Sequence, residues 1–111
     1  MVAEAGELTT AIGHVHGYSP EVLVLDLRMQ DRSSVEAIRR VRAQAPGTEV
    51  VAITMQEAPA FAKQALDAGA VGFVLKDRAD VELPQAVRRA ARGEVYTSPR
   101  VTPGLAALRR R

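Results

Sequence analysis

Short apolar runs alternate along this chain with segments whose apolar residues recur every three or four positions. Glu21-Val22-Leu23-Val24-Leu25 follows a Ser19-Pro20 turn signal and is apolar on both faces, as a buried parallel strand is. Glu49-Val50-Val51-Ala52-Ile53-Thr54 and Val71-Gly72-Phe73-Val74-Leu75 have the same character, and Val2-Ala3-Glu4-Ala5 reads as a further strand. Between them, Val35, Ile38 and Val41 fall at helical spacing after a candidate N-cap at Ser34, and Pro46-Gly47 stops that helix. A second helix is predicted over Ala58 to Ala68, with Phe61, Ala62, Ala65 and Leu66 inward and Gly69 as a left-handed terminator. A third starts at an Asp80 cap, carries Val81, Leu83, Val87, Ala90 and Ala91 as its core stripe, and ends at Gly93. Pro84 fits it only near the first turn. Leu8 to Val15 reads as a short helix weakened by Gly13. The tail from Tyr96 carries Pro99, Pro103 and Gly104 and at most one loose helical turn. The sum, βαβαβαβα, predicts an α/β fold with a parallel sheet covered by helices on both faces.

Composition narrows the class. The chain has 111 residues, one domain's worth, and 47% of them are hydrophobic, too many for a disordered chain. Cysteine is absent, which excludes disulfides, thiolate nucleophiles and cysteine metal sites and suits a reducing cytoplasm. No apolar run approaches the ~20 residues of a membrane span, and the start lacks the basic and apolar regions of a signal peptide. Net charge is +2, but the acidic excess lies before residue 56 and the basic excess after it, in Arg88, Arg89, Arg92, Arg100 and Arg109-Arg110-Arg111. Such a tail can meet nucleic acid or acidic partners. Its plainer reading is a solvated helix face and a frayed end. His14 and His16, two apart, read as surface residues rather than as a metal site.

In parallel sheets, ligands collect at the carboxyl ends of the strands. Three of the predicted strands end there in Asp26, Thr54 and Lys76. A carboxylate, a hydroxyl and an ammonium at one edge can hold a phosphoryl group. Asp26 would attack phosphorus, Thr54 donate to one oxygen and Lys76 neutralise another, with Mg2+ neutralising the rest. Taken singly, each is an ordinary cap, strand or surface residue, and the combination is what points to chemistry.

Val22-Leu23-Val24-Leu25-Asp26-Leu27-Arg28-Met29 resembles the phosphoacceptor strand of two-component response-regulator receiver domains. Ala52-Ile53-Thr54-Met55 resembles their switch-threonine strand, and Ala68-Gly69-Ala70-Val71-Gly72-Phe73-Val74-Leu75-Lys76-Asp77 their lysine strand. The spacings, 28 residues and then 22, agree with the family. Arg92-Gly93-Glu94-Val95-Tyr96-Thr97-Ser98-Pro99 is similar to the exit of the subfamily joined to a LuxR-type helix-turn-helix domain. The resemblance implies a flavodoxin-like three-layer fold, Asp26 as phosphoacceptor, Thr54 and Phe73 as switch residues, and Lys76 as the phosphate-pairing cation. It also implies that Arg28 lends its backbone carbonyl, beside Asp26, to Mg2+, and that the partner is a sensor histidine kinase.

The departures from the family carry their own expectations. The strand ending in the acidic pair that holds Mg2+ has no counterpart, so the chain reads as a receiver over 1–99 lacking the first βα unit, with 100–111 a basic tail or the start of a linker. Mg2+ is then weakly held or absent unless Glu4 or Glu7 substitutes. The loop after Asp26, Gln30 to Ser34, lacks the family's Pro and Gly. In the usual order 2-1-3-4-5, loss of that strand bares an edge on Val22–Leu25. Either the first strand moves in to cover it, or two chains exchange segments into a dimer. The leading expectation is a cytoplasmic receiver module of a phosphorelay that is not an enzyme in the ordinary sense and meets DNA only through a separate domain. The alternatives are a phosphorylation-independent pseudo-receiver used for protein contact or dimerisation, and a small phosphate-handling α/β enzyme. The lack of a Gly-rich phosphate loop counts against the last.

Overall fold

A computed structural model describes residues 2–5, 13, 17, 20–27 and 32–109. Its elements are β1 (Val2–Ala5), β2 (Val22–Asp26), α1 (Arg32–Gln44), β3 (Glu49–Thr54), α2 (Pro59–Asp67), β4 (Gly72–Leu75), a 3-10 turn (Lys76–Arg78), α3 (Ala79–Ala91), β5 (Tyr96–Thr97) and α4 (Thr102–Arg109). All neighbouring strands pair in parallel.

The described sheet has five strands in the order β1-β2-β3-β4-β5. The expectation of a sheet missing a strand is therefore corrected. β1 lies directly beside β2, with Val2 opposite Val22 and Ala5 opposite Leu25. Of the two outcomes predicted for that edge, pairing of the first strand with Val22–Leu25 within one chain is the one observed. The far edge is supplied by Tyr96–Thr97, whose two residues are too few to show strand alternation. Tyr96 and Ser98 donate backbone bonds to the carbonyls of Val71 and Phe73 at 2.9 Å each.

β2, β3 and β4 are apolar on both faces because both faces are covered. Leu23, Leu25, Val50, Ala52, Phe73 and Leu75 pack with Val35, Ile38 and Val41 of α1, Phe61, Ala62 and Ala65 of α2, and Val101 and Leu105 at α4. Val22, Val24, Val51 and Val74 pack against Ala86 and Ala90 of α3. The helices therefore lie on opposite sides of the sheet, as expected for a three-layer fold.

Several local expectations are corrected. Ser34 lies inside α1 rather than capping it, and Asp80 sits in the first turn of α3, because the preceding 3-10 turn lets the helix begin at Ala79. Val81 is 50% exposed and Ala91 is exposed, while Glu82 is buried in their place. This rotates the stripe of α3 toward β5, which the sequence pattern did not contain. Gly69 and Gly93 take positive φ, 118° and 75°, as their terminating positions require. The tail is more than one loose turn. α4 runs eight residues and buries Leu105, with Val101 just before it. The helix expected over 8–15 lies outside the described residues apart from Gly13, as do His14, His16, Glu7 and Arg110-Arg111.

Candidate functional site

β2, β3 and β4 run parallel in adjacent positions, so their carboxyl ends form one edge. Asp26 closes β2 opposite Ile53, Thr54 closes β3 opposite Leu75, and Lys76 follows β4 directly. Lys76 Nζ donates to Asp26 Oδ2 at 3.0 Å across 50 residues of chain. The carboxylate is 25% exposed and the ammonium 49%, so the pair is open to solvent from one side. This is a charge-assisted contact between the two groups whose convergence the sequence predicts.

Thr54 lies at the same edge and is fully buried. Its Oγ1 accepts the backbone N–H of Gln56 at 3.1 Å, so the hydroxyl oxygen is engaged with its own loop. Gln56 Oε1 in turn accepts the N–H of Ala58, the N-cap of α2. The bond made by Thr54 thus fixes the loop that leads into α2.

Phe73 stands two residues back along the register, on the face that Thr54 shares, since Ala52 pairs with Phe73 where Thr54 pairs with Leu75. It is fully buried, and its ring meets Phe61 of α2 edge to face at 6.2 Å and 70°. In this state Phe73 is a core residue joining β4 to α2. Arg28, Gln30 and Asp31 lie outside the described residues, so the Arg28 carbonyl predicted beside Asp26 is not placed. Glu4 is exposed on β1, opposite Val24 and short of the level of Asp26.

Two groups of site residues escape the sequence pattern. One terminal nitrogen of Arg100 bridges both oxygens of Asp77 at 2.6 and 2.7 Å, and the other reaches Glu57 at 3.4 Å. Glu82, buried in α3, accepts hydroxyl bonds from Ser98 at 2.5 Å and Tyr96 at 3.2 Å, with Arg78 at 3.7 Å. Burial, then the charge and hydrogen bond of Glu82, push the Tyr96 phenol above its ordinary value of 10.0. These contacts span 4 to 43 residues, and only the i,i+4 charge pair Arg78–Glu82 had a sequence signal.

With this geometry in view, the chain can be set beside known proteins. The family model described as response regulator receiver domain matches residues 1–88. A probable transcriptional regulatory protein NarL of Mycobacterium tuberculosis is 34% identical over 106 residues, 96% of this chain and 49% of that protein. The chain thus spans about half the length of the curated relatives it matches. Among solved structures, a two-component response regulator of the LuxR family from Aurantimonas sp. superposes with a TM-score of 0.85 at 31% identity, covering all of this chain and 79% of the other. The RcsB response regulator of Salmonella typhimurium, solved in a study of DNA interaction, gives 0.77 at 26% identity, covering 90% and 50%.

Proposed function

The chain belongs to the response regulator receiver domain family, and on that premise we propose that it is a receiver module of two-component signalling whose phosphoacceptor is Asp26. The observation that carries this reading is the 3.0 Å pair between Asp26 and Lys76 at an edge that also holds Thr54. An Asp26 carboxylate oxygen attacks the donor's phosphorus, and the leaving group departs with the electrons of the broken bond, its proton supplied by solvent or by the donor. Lys76 Nζ transfers its hydrogen bond from the carboxylate to a phosphoryl oxygen. Thr54 exchanges its contact with Gln56 for a second phosphoryl oxygen. Phe73, on the same face, follows into the space released, and the phosphorylated state is favoured by the difference in contacts between the two arrangements. The donor in the cell is a partner histidine kinase.

Receiver domains typically bind Mg2+. Among the described residues no group of three or more His, Asp or Glu is placed to hold an ion. Asp26 is engaged by Lys76, and Asp77 and Glu57 by Arg100. The described donor set does not by itself fit the ion.

A second reading, a pseudo-receiver that acts by protein contact without phosphorylation, is favoured by the same limited donor set. Incubation with a small phosphodonor, with and without Mg2+, followed by intact mass, separates the two. The expected result is a single phosphoryl adduct on the wild type and none on Asp26→Ala. An adduct that survives Asp26→Ala overturns the assignment of the acceptor, and no adduct under either condition favours the pseudo-receiver.

No helix among the described residues is long and apolar enough to cross a membrane. The relatives' names and titles speak of transcriptional regulation and DNA. We extend this to the present chain only as output through a separate DNA-binding domain.

A further inference from the structure

The segment after β5 holds the residues on both sides of Lys76, one by its backbone and the other by its carboxylate. On one side, Leu75 donates its N–H to Ser98 Oγ at 2.9 Å. Ser98 is fully buried, and its hydroxyl donates onward to Glu82 at 2.5 Å. On the other side, one terminal nitrogen of Arg100 bridges both carboxylate oxygens of Asp77, at 2.6 and 2.7 Å. The other terminal nitrogen of Arg100 faces Glu57 at 3.4 Å, three residues past Thr54. One short stretch of chain therefore holds the residue before Lys76, the residue after it, and the loop that follows Thr54.

One nitrogen of Arg100 bridges both oxygens of Asp77 while its other terminal nitrogen faces Glu57, so a single cation ties two carboxylates together. Isolated exposed ion pairs contribute little, but a cation shared between two carboxylates forms a small charge network, the case that escapes this rule. Asp77 lies in the 3-10 turn that begins at Lys76, so a shift of Lys76 moves Asp77 with it. Val101, next to Arg100, is fully buried, and Leu105 follows one turn later. Arg100 thus joins the ion-paired edge to the point where α4 enters the core.

We propose that residues 98–100 form a bracket that positions Lys76 against Asp26, with Arg100 making the docking of α4 and the state of the Asp26–Lys76 pair depend on each other. Arg100 is a positioning residue and touches no reacting atom. The inference takes the Asp26–Lys76 pair from the reading above but does not require that Asp26 be phosphorylated. Coupling of this kind is reciprocal, so a change at either end must be felt at the other.

Amide hydrogen exchange of residues 101–108 tests it in four proteins, namely the wild type, Asp26→Asn, Arg100→Gln and the double variant. Asp26→Asn is expected to speed exchange in α4 by about two- to fivefold, the range of a networked surface contact. It is expected to add nothing once Arg100 is Gln, and Asp77→Asn should reproduce the Arg100→Gln behaviour. Unchanged exchange in Asp26→Asn, or the same acceleration with and without Arg100, overturns the bracket. The intact-mass assay is read separately. Coupling without an adduct removes only the acceptor reading, and an adduct without coupling removes only the bracket.

Discussion

Glu82 is an acidic residue that the fold buries and then satisfies. Ser98 and Tyr96 donate hydroxyl bonds to one of its oxygens, and Arg78 approaches the other. A buried carboxylate without such partners would be costly, and here it anchors β5 to α3. The guanidinium of Arg89 lies 5.7 Å from the centre of the Tyr96 ring. Because the Tyr96 phenol is raised above 10.0 in the folded state, the folded chain binds that proton more tightly than the unfolded chain does. The stability it contributes is therefore complete below the unfolded value and is lost as pH rises through the raised one. Urea unfolding followed from about pH 9 to 11 should show a decline in stability that is shallower in Tyr96→Phe. Equal slopes for the two proteins would disprove the linkage. Asp26, Thr54 and Lys76 were legible from the sequence because each ends an apolar run. Glu82 was not, because a charged residue in an amphipathic helix normally marks the solvent face.

At the scale of elements, the central strands and the three longer helices follow from periodicity, and the boundaries shift by one to three residues. β5 and α4 were the elements the pattern missed. β5 has two residues, and it exists because Val71 and Phe73 present carbonyls to it along the open edge of β4. α4 holds its place through Val101 and Leu105, and its backbone passes close to α2. A Cβ on Gly104 would overlap the ring of Pro59, so glycine is required there for proximity rather than for φ. Gly104→Ala should lower stability by about 1–2 kcal/mol in denaturant unfolding, because the overlap outweighs the gain in helix propensity. A stability equal to or above that of the wild type would mean that α4 does not dock on α2 as described.

Over the whole molecule, one decision shapes the sheet, namely which strand covers the outer edge of β2. β1 does so along its full length in a parallel register. Val22 to Leu25 are almost fully buried, so this edge carries no charge that would discourage pairing with another chain. A variant lacking residues 1–19 should expose the row of backbone groups and associate with itself. Light scattering is expected to show a mass that grows with concentration. A monomer at every concentration would mean that the edge is protected by something other than β1. The same arrangement puts three strand ends side by side, and it is this adjacency that turns separate polar residues into a candidate phosphoryl site.

The sequence by itself determined the α/β class, the strands that end in Asp26, Thr54 and Lys76, and the family, because buried parallel strands and the residues that close them are local signals of fixed period. Tertiary structure alone decided that β1 pairs with β2, that Tyr96–Thr97 adds a fifth strand, and that Ser98 and Arg100 flank Lys76. Those outcomes depend on backbone edges and charges brought together from distant positions, and no local pattern records which edge is left open or which carboxylate a distant arginine will reach.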